Sequence, residues 1–91
     1  MSTNKLSARV RNHPQEPLSL LDSLLQDGGS FQVKKMPLYG TIGVAHLRKR
    51  KLVMLCQGER ESMFAFLCRM EHALAAAIIS GEVVDEVSEA A

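Results

Sequence analysis

One stretch limits what this chain can fold into: residues 57–81 carry an apolar arc wider than a surface helix needs. At about 100° per residue, Phe66, Ala77, Met70, Met63, Leu74, Leu67 and Ile78 share one helical face. Phe64, Ala75, Cys68 and Ile79 widen that face further. A helix this apolar needs cover on more than one side, from the same chain or from a second copy. Its limits read as Gly58 near the N-cap, Glu59 and Glu61 in a first turn where the helix dipole favours acids, and a stop at Ser80-Gly81. The predicted helix runs from Gln57 to Gly81.

Glu71 stands inside the arc, between Leu67, Ile78 and Phe64. A carboxylate there is costly unless it is paired or protonated. Arg48, Lys51 or a basic residue of a partner are the expected counterparts. The preferred reading makes the arc two stripes, one on a sheet and one in a dimer contact, with Glu71 at their seam.

With 91 residues, the chain builds one domain with a thin core. Aromatics are only 4% of the sequence, so Leu, Met and Ala must fill that core, and such cores are often completed by association. The N-terminus lacks the apolar segment of a secretory signal, and no uninterrupted apolar run approaches the roughly 18 residues of a membrane span. The two cysteines then read as reduced thiols and the expected location as cytoplasmic, with no membrane partner.

Taken in order, residues 1–15 read as a flexible basic arm, residues 16–81 as a single domain and residues 82–91 as an acidic tail. Pro17 opens a short helix whose Leu18, Leu21 and Leu25 recur on one face, with Leu20 and Leu24 beside them, and Gly28-Gly29 ends it. Three short strands follow. Phe31–Met36 stops at Pro37, Thr41–Leu47 holds Gly43 as a site of close backbone approach, and Leu52–Gln57 is apolar on both faces, as a doubly covered strand would be. In the last strand, Leu52, Met54 and Cys56 are assigned to one side, Val53 and Leu55 to the other.

Charge is divided along the chain. Residues 1–51 carry nine Lys/Arg against three acids, and residues 52–91 carry two against seven, a split of +6 and −5 within a net +1. The run Arg48, Lys49, Arg50, Lys51 reads as a hairpin connection between the second and third strands. Joined by Lys34 and Lys35, and by Arg9 and Arg11 from the arm, it is the candidate contact for phosphates of DNA or RNA. It lacks an aromatic stacking platform, and its alternative role is a solubilising turn that blocks strand-to-strand association. Cys68 and His72 have the i, i+4 spacing of metal ligands, with Cys56 and His46 on neighbouring strands. The cysteines fall at apolar positions with no Cys-x-x-Cys pair, so neither metal nor cofactor is expected.

Gly43-Val44-Ala45-His46-Leu47, a hairpin, and then Val53 to Gln57-Gly58-Glu59 leading into a helix resemble the second half of acylphosphatases. The resemblance implies a related strand–hairpin–strand–helix arrangement. The family's catalytic asparagine falls at Leu47, and its phosphate loop with the essential arginine has no counterpart near the N-terminus, so the chemistry is not implied.

The expected architecture is a two-layer α+β domain: short helix, three-stranded antiparallel meander, long C-terminal helix, associated as a homodimer. The expected function is that of a small non-enzymatic regulatory or adaptor protein. Its contacts with itself and with another protein run through Met63, Phe64, Leu67, Met70, Glu71, Leu74 and Ile78 of the long helix. The alternative is a nucleic-acid-binding regulator that uses Lys34, Lys35, Arg48, Lys49, Arg50 and Lys51.

Overall fold

The computed structural model describes residues 17–90, so the expected basic arm of residues 1–15 lies outside it. The elements are α1 (Ser19–Gln26), β1 (Ser30–Met36), β2 (Gly40–Leu47), β3 (Arg50–Cys56), α2 (Met63–Ser80), β4 (Val84–Asp85) and α3 (Glu86–Ala90). The fold is α+β. The strands form one sheet in the order β1-β2-β3-β4, with β1–β2 and β2–β3 antiparallel and β3–β4 parallel.

The sheet is therefore four-stranded and mixed, in place of the expected three-stranded antiparallel meander. The fourth strand comes from the segment read as an acidic tail. After α2 crosses over the sheet, Val84 and Asp85 pair with Val53 and Met54, a parallel return that requires a long crossover such as a helix. Val87 of α3 then buries itself beside Ile42 and Val44. A two-residue strand has no periodicity of its own, and only the neighbouring β3 defines it.

Both faces of the sheet carry apolar residues. On one, Phe66, Met70, Leu74 and Ala77 of α2 and Leu20, Leu21 and Leu24 of α1 pack on Ala45, Leu47, Val53 and Leu55. Gly43 permits that approach: a Cβ there would sit 3.1 Å from both Met70 Sδ and Phe66 Cζ. On the other face, Ile42, Val44 and Val87 are joined by Met36, Tyr39, Met54 and Cys56. The alternation of β3 is broken by a bulge. Ala45 pairs with Val53 but His46 pairs with Lys51, so Leu52 is the extra residue. Leu52 joins Val53 and Leu55 on the helix side, which corrects its expected placement with Met54 and Cys56.

Both long-range helices end as the glycines dictate. Beyond α1, Gly28 takes φ 88°, its N–H donates to the Leu25 carbonyl (3.3 Å), and the Gly29 N–H donates to Leu24 (2.8 Å), a Schellman closure. Gly29 also has no room for a side chain, since a Cβ would lie 2.7 Å from the His46 carbonyl oxygen. Gly81, at φ 77°, closes α2. The start of α2 differs from expectation. Ser62 is the N-cap, its Oγ accepting from the Ala65 N–H at 3.1 Å, and the helix begins at Met63. Residues 57–62 form a separate turn, in which the Glu61 carboxylate accepts from the Gly58 N–H at 2.9 Å.

The connection between β2 and β3 is the expected hairpin, but its turn is made from unsuitable residues. Arg48 and Lys49 both have positive φ, 52° and 67°, the pattern of a type I′ turn that normally uses Asn-Gly. Left-handed backbone costs a side-chain-bearing residue about 1–2 kcal/mol. The double variant Arg48→Asn/Lys49→Gly is expected to stabilise the chain by about 1–2 kcal/mol, raising the melting temperature by roughly 4–8 °C per kcal/mol for a domain of this size. Calorimetry checks it; an unchanged or lower melting temperature would show that the turn is not strained.

Candidate functional site

The bulge at Leu52 decides how the basic run is presented. Without it, Lys51 would share a face with Val53; with it, Lys51 turns to the opposite face and Arg50 to the α2 side. Lys51 forms an ion pair with Asp85 of β4. The Arg50 guanidinium donates to the Gly81 carbonyl at 2.6 Å, which places a cation at the C-terminal end of α2 where the helix dipole favours it. Arg48 and Lys49 are left exposed at the turn. Lys34 and Lys35 are consecutive in a strand, so they project from opposite faces of β1, an edge strand. The six cations singled out in the sequence therefore form no single surface.

Two depressions flank the run. One, of about 220 Å³, lies between the turn and the end of α2, with Leu47, Leu52, Ala77 and Ile78 as its apolar lining and Arg48, Arg50 and Gly81 at its rim. The other, about 270 Å³, opens on the opposite sheet face between Lys34, His46, Lys51 and Met54.

The seven residues expected to form a partner surface divide. Met70 and Leu74 are buried against the sheet, and Glu71, only 4% exposed, faces α1. Leu67 and Ile78 are half-buried, while Met63 and Phe64 stand out at 43% and 59% exposure. The two Glu71 oxygens accept from the backbone N–H groups of Leu20 (2.7 Å) and Leu21 (2.8 Å). These are the second and third residues of α1, whose N–H groups an N-cap side chain normally satisfies. Leu18 occupies the cap position with φ 63° and offers no such group. Glu71 thus caps a helix fifty residues away in sequence, and its expected pairing with Arg48 or Lys51 is not formed.

Arg69 went unremarked in the sequence and organises the base of α2. Its guanidinium holds both Glu61 oxygens at 2.9 Å, Glu86 at 2.9 Å and the Cys56 carbonyl at 2.7 Å, with the Phe66 ring 5.6 Å away. The signal that would have found it is a lone cation within an apolar helix, with an acid eight residues before it. The Arg69 hydrogen bonds, followed by the Gly58 N–H, hold the Glu61 carboxyl at about 2, below its ordinary 4.5; Arg69 itself is pushed further up, chiefly by Glu61. For Asp85, burial acts to raise the value, but hydrogen bonds from Lys51 and Ser88 outweigh it and hold the carboxyl at about 2, below 3.8.

Cys68 and His72 lie on α2, whereas Cys56 and His46 belong to the face of the sheet turned away from it. The Cys56 thiol donates to the Tyr39 carbonyl. Among the described residues no group of three or more His, Cys, Asp and Glu is placed to hold a metal ion. By length and composition α2, with a mean hydropathy of 1.4, is apolar enough to cross a membrane; in this fold its inner face is the core, and its two charges are hydrogen-bonded to the rest of the chain.

No family model, no curated protein and no solved structure matches the chain, and the resemblance to acylphosphatases finds no support there.

Replacing Glu71 with alanine strands two buried N–H groups and is expected to cost about 2–3 kcal/mol in urea unfolding, with Glu71→Gln costing less because its amide oxygen still accepts. Equal stability of Glu71→Ala and wild type would refute the capping role. The lowered Glu61 and Asp85 values give stability that is complete above about pH 4.5 and is lost as pH falls towards 2, because the unfolded carboxyls bind protons first. Urea midpoints taken between pH 6 and pH 2 should fall across that window, and less steeply for Glu61→Gln.

Proposed function

We propose that this chain is a small non-enzymatic regulatory or adaptor protein, working in the cytoplasm through protein–protein contacts of its long helix and associating as a homodimer. The observation that carries this reading is the exposure of Met63 and Phe64 on the first turn of α2, ahead of Phe66, Met70, Leu74 and Ala77, which the core buries. Large apolar side chains adjacent on a surface are a common mark of a partner contact. Leu67 is half-buried one turn on from Met63 and Phe64.

The nucleic-acid reading is weaker. Phosphate binding of the sequence-neutral kind needs several unpaired cations on one surface. Here Arg50 and Lys51 are engaged within the chain, and Lys34 and Lys35 point to opposite faces. Of the four cations in the run, Arg48 and Lys49 are the two that make no such contact, and Arg9 and Arg11 lie outside the described residues.

The deciding comparison is between wild type and Met63→Glu/Phe64→Glu, both verified as folded by melting. Each is cross-linked in cells and its partners identified. A defined protein captured by wild type and lost by the variant is the expected result; equal capture would remove α2 from the contact. In parallel, a salt series with duplex DNA and RNA is run on Arg48→Glu/Lys49→Glu, positions that can be reversed without disturbing the Arg50 and Lys51 contacts. Steeply salt-dependent binding that vanishes in this variant would reinstate the alternative.

A further inference from the structure

The end of the molecule formed by the β2–β3 turn and the last turn of α2 carries features that fit one another. An apolar depression of about 220 Å³, floored by Leu47, Leu52, Ala77 and Ile78, opens beside Arg48. Next to it, where α2 runs out, Ile79 is 65% exposed and Val83 is 42% exposed, with the exposed Glu82 between them in sequence. Arg48 and Lys49 project from the turn, and Arg48 makes no hydrogen bond or ion pair with any described residue. The chain also keeps two cations at positions whose left-handed backbone favours Asn-Gly.

We infer that this end is a self-complementary surface through which two copies of the chain pair about a two-fold axis, Arg48 and Lys49 of each copy facing Glu82 of the other, and Ile79 or Val83 of each entering the other's depression. A two-fold interface brings the same patch together twice, so it must contain both partners of every contact. This patch does: a cation pair and an acid, an apolar cavity and two exposed apolar side chains. It needs no charge from elsewhere, and Arg50, tied to Gly81, holds the two halves of the patch in fixed relation. The inference deepens the homodimer of the proposed function by naming its surface, and it leaves Met63 and Phe64, on the first turn of α2, for a different protein.

Charge exchange tests it. Arg48→Glu/Lys49→Glu and Glu82→Lys are made separately, and each, with wild type, is followed by sedimentation over a concentration and salt series. Wild type is expected to dimerise, more weakly at high salt. Each variant alone sets like charges against each other twice and should raise the dimer Kd by about a hundredfold or more. An equimolar mixture of the two variants restores opposite charges at both contacts, and a heterodimer with near wild-type affinity is the expected result. That recovery also shows that neither variant is simply misfolded. A wild type that stays monomeric at millimolar concentration overturns both this surface and the homodimer. A dimer indifferent to both variants but broken by Met63→Glu/Phe64→Glu overturns this surface while leaving the homodimer standing. Variants that weaken the dimer but fail to recover on mixing overturn the pairing of Arg48 and Lys49 with Glu82.

Discussion

Two hydrogen bonds from the N-terminus of α1 to Glu71 fasten this fold together. An eight-residue helix is marginal in water and cannot hold itself. Its leucines supply the apolar contact with α2 and the sheet, but contact of that kind is non-directional and would allow the helix to slide. Glu71 fixes its position, because a buried carboxylate is tolerable only where donors meet it. The helix dipole adds to the attraction, since the positive end of α1 meets a negative group. At the other end of α1, the Schellman closure ends the helix, and Gly29 passes into β1 so near the His46 carbonyl of β2 that no side chain would fit. With both ends held, Leu20, Leu21 and Leu24 face inward, while Leu25 stays on the outer side.

The bulge at Leu52 has a comparable influence on the surface. One inserted residue reverses the faces of everything on its N-terminal side, because side chains alternate with period two. Leu52 goes into the core, Arg50 reaches the end of α2, and Lys51 reaches Asp85 across the short parallel pairing of β3 and β4. A run of four cations, which in sequence looks like one patch, becomes two structural contacts and two exposed charges. The C-terminal segment is joined to the rest of the chain by two ion pairs, Lys51–Asp85, which the bulge sets up, and Arg69–Glu86 from α2.

The apolar width of α2 has two causes that the sequence could not separate. Phe66, Met70, Leu74 and Ala77 meet the sheet, and Glu71 marks the side turned to α1, so much of the arc is satisfied within one chain. What is left over is confined to its ends, Met63 and Phe64 at one and Ile79 at the other. The two ends lie a helix length apart, at opposite ends of 18 residues.

Much of this was legible in the sequence. The α+β class, the hairpin over residues 48–51, the glycine stops at Gly28-Gly29 and Gly81, and the close approach at Gly43 follow from local chemistry: periodicity, missing side chains and backbone freedom. The cost of Glu71 in an apolar arc was equally plain. What tertiary structure alone decided was where each of these turned. Two donors to Glu71 are backbone groups of a helix fifty residues away, and no side-chain pattern announces a backbone partner. The bulge depends on the pairing of β2 with β3, the fourth strand on the presence of β3 beside it, and the fate of each cation on both. Sequence patterns record what a residue can tolerate; which partner satisfies it is settled only when distant segments are packed against each other.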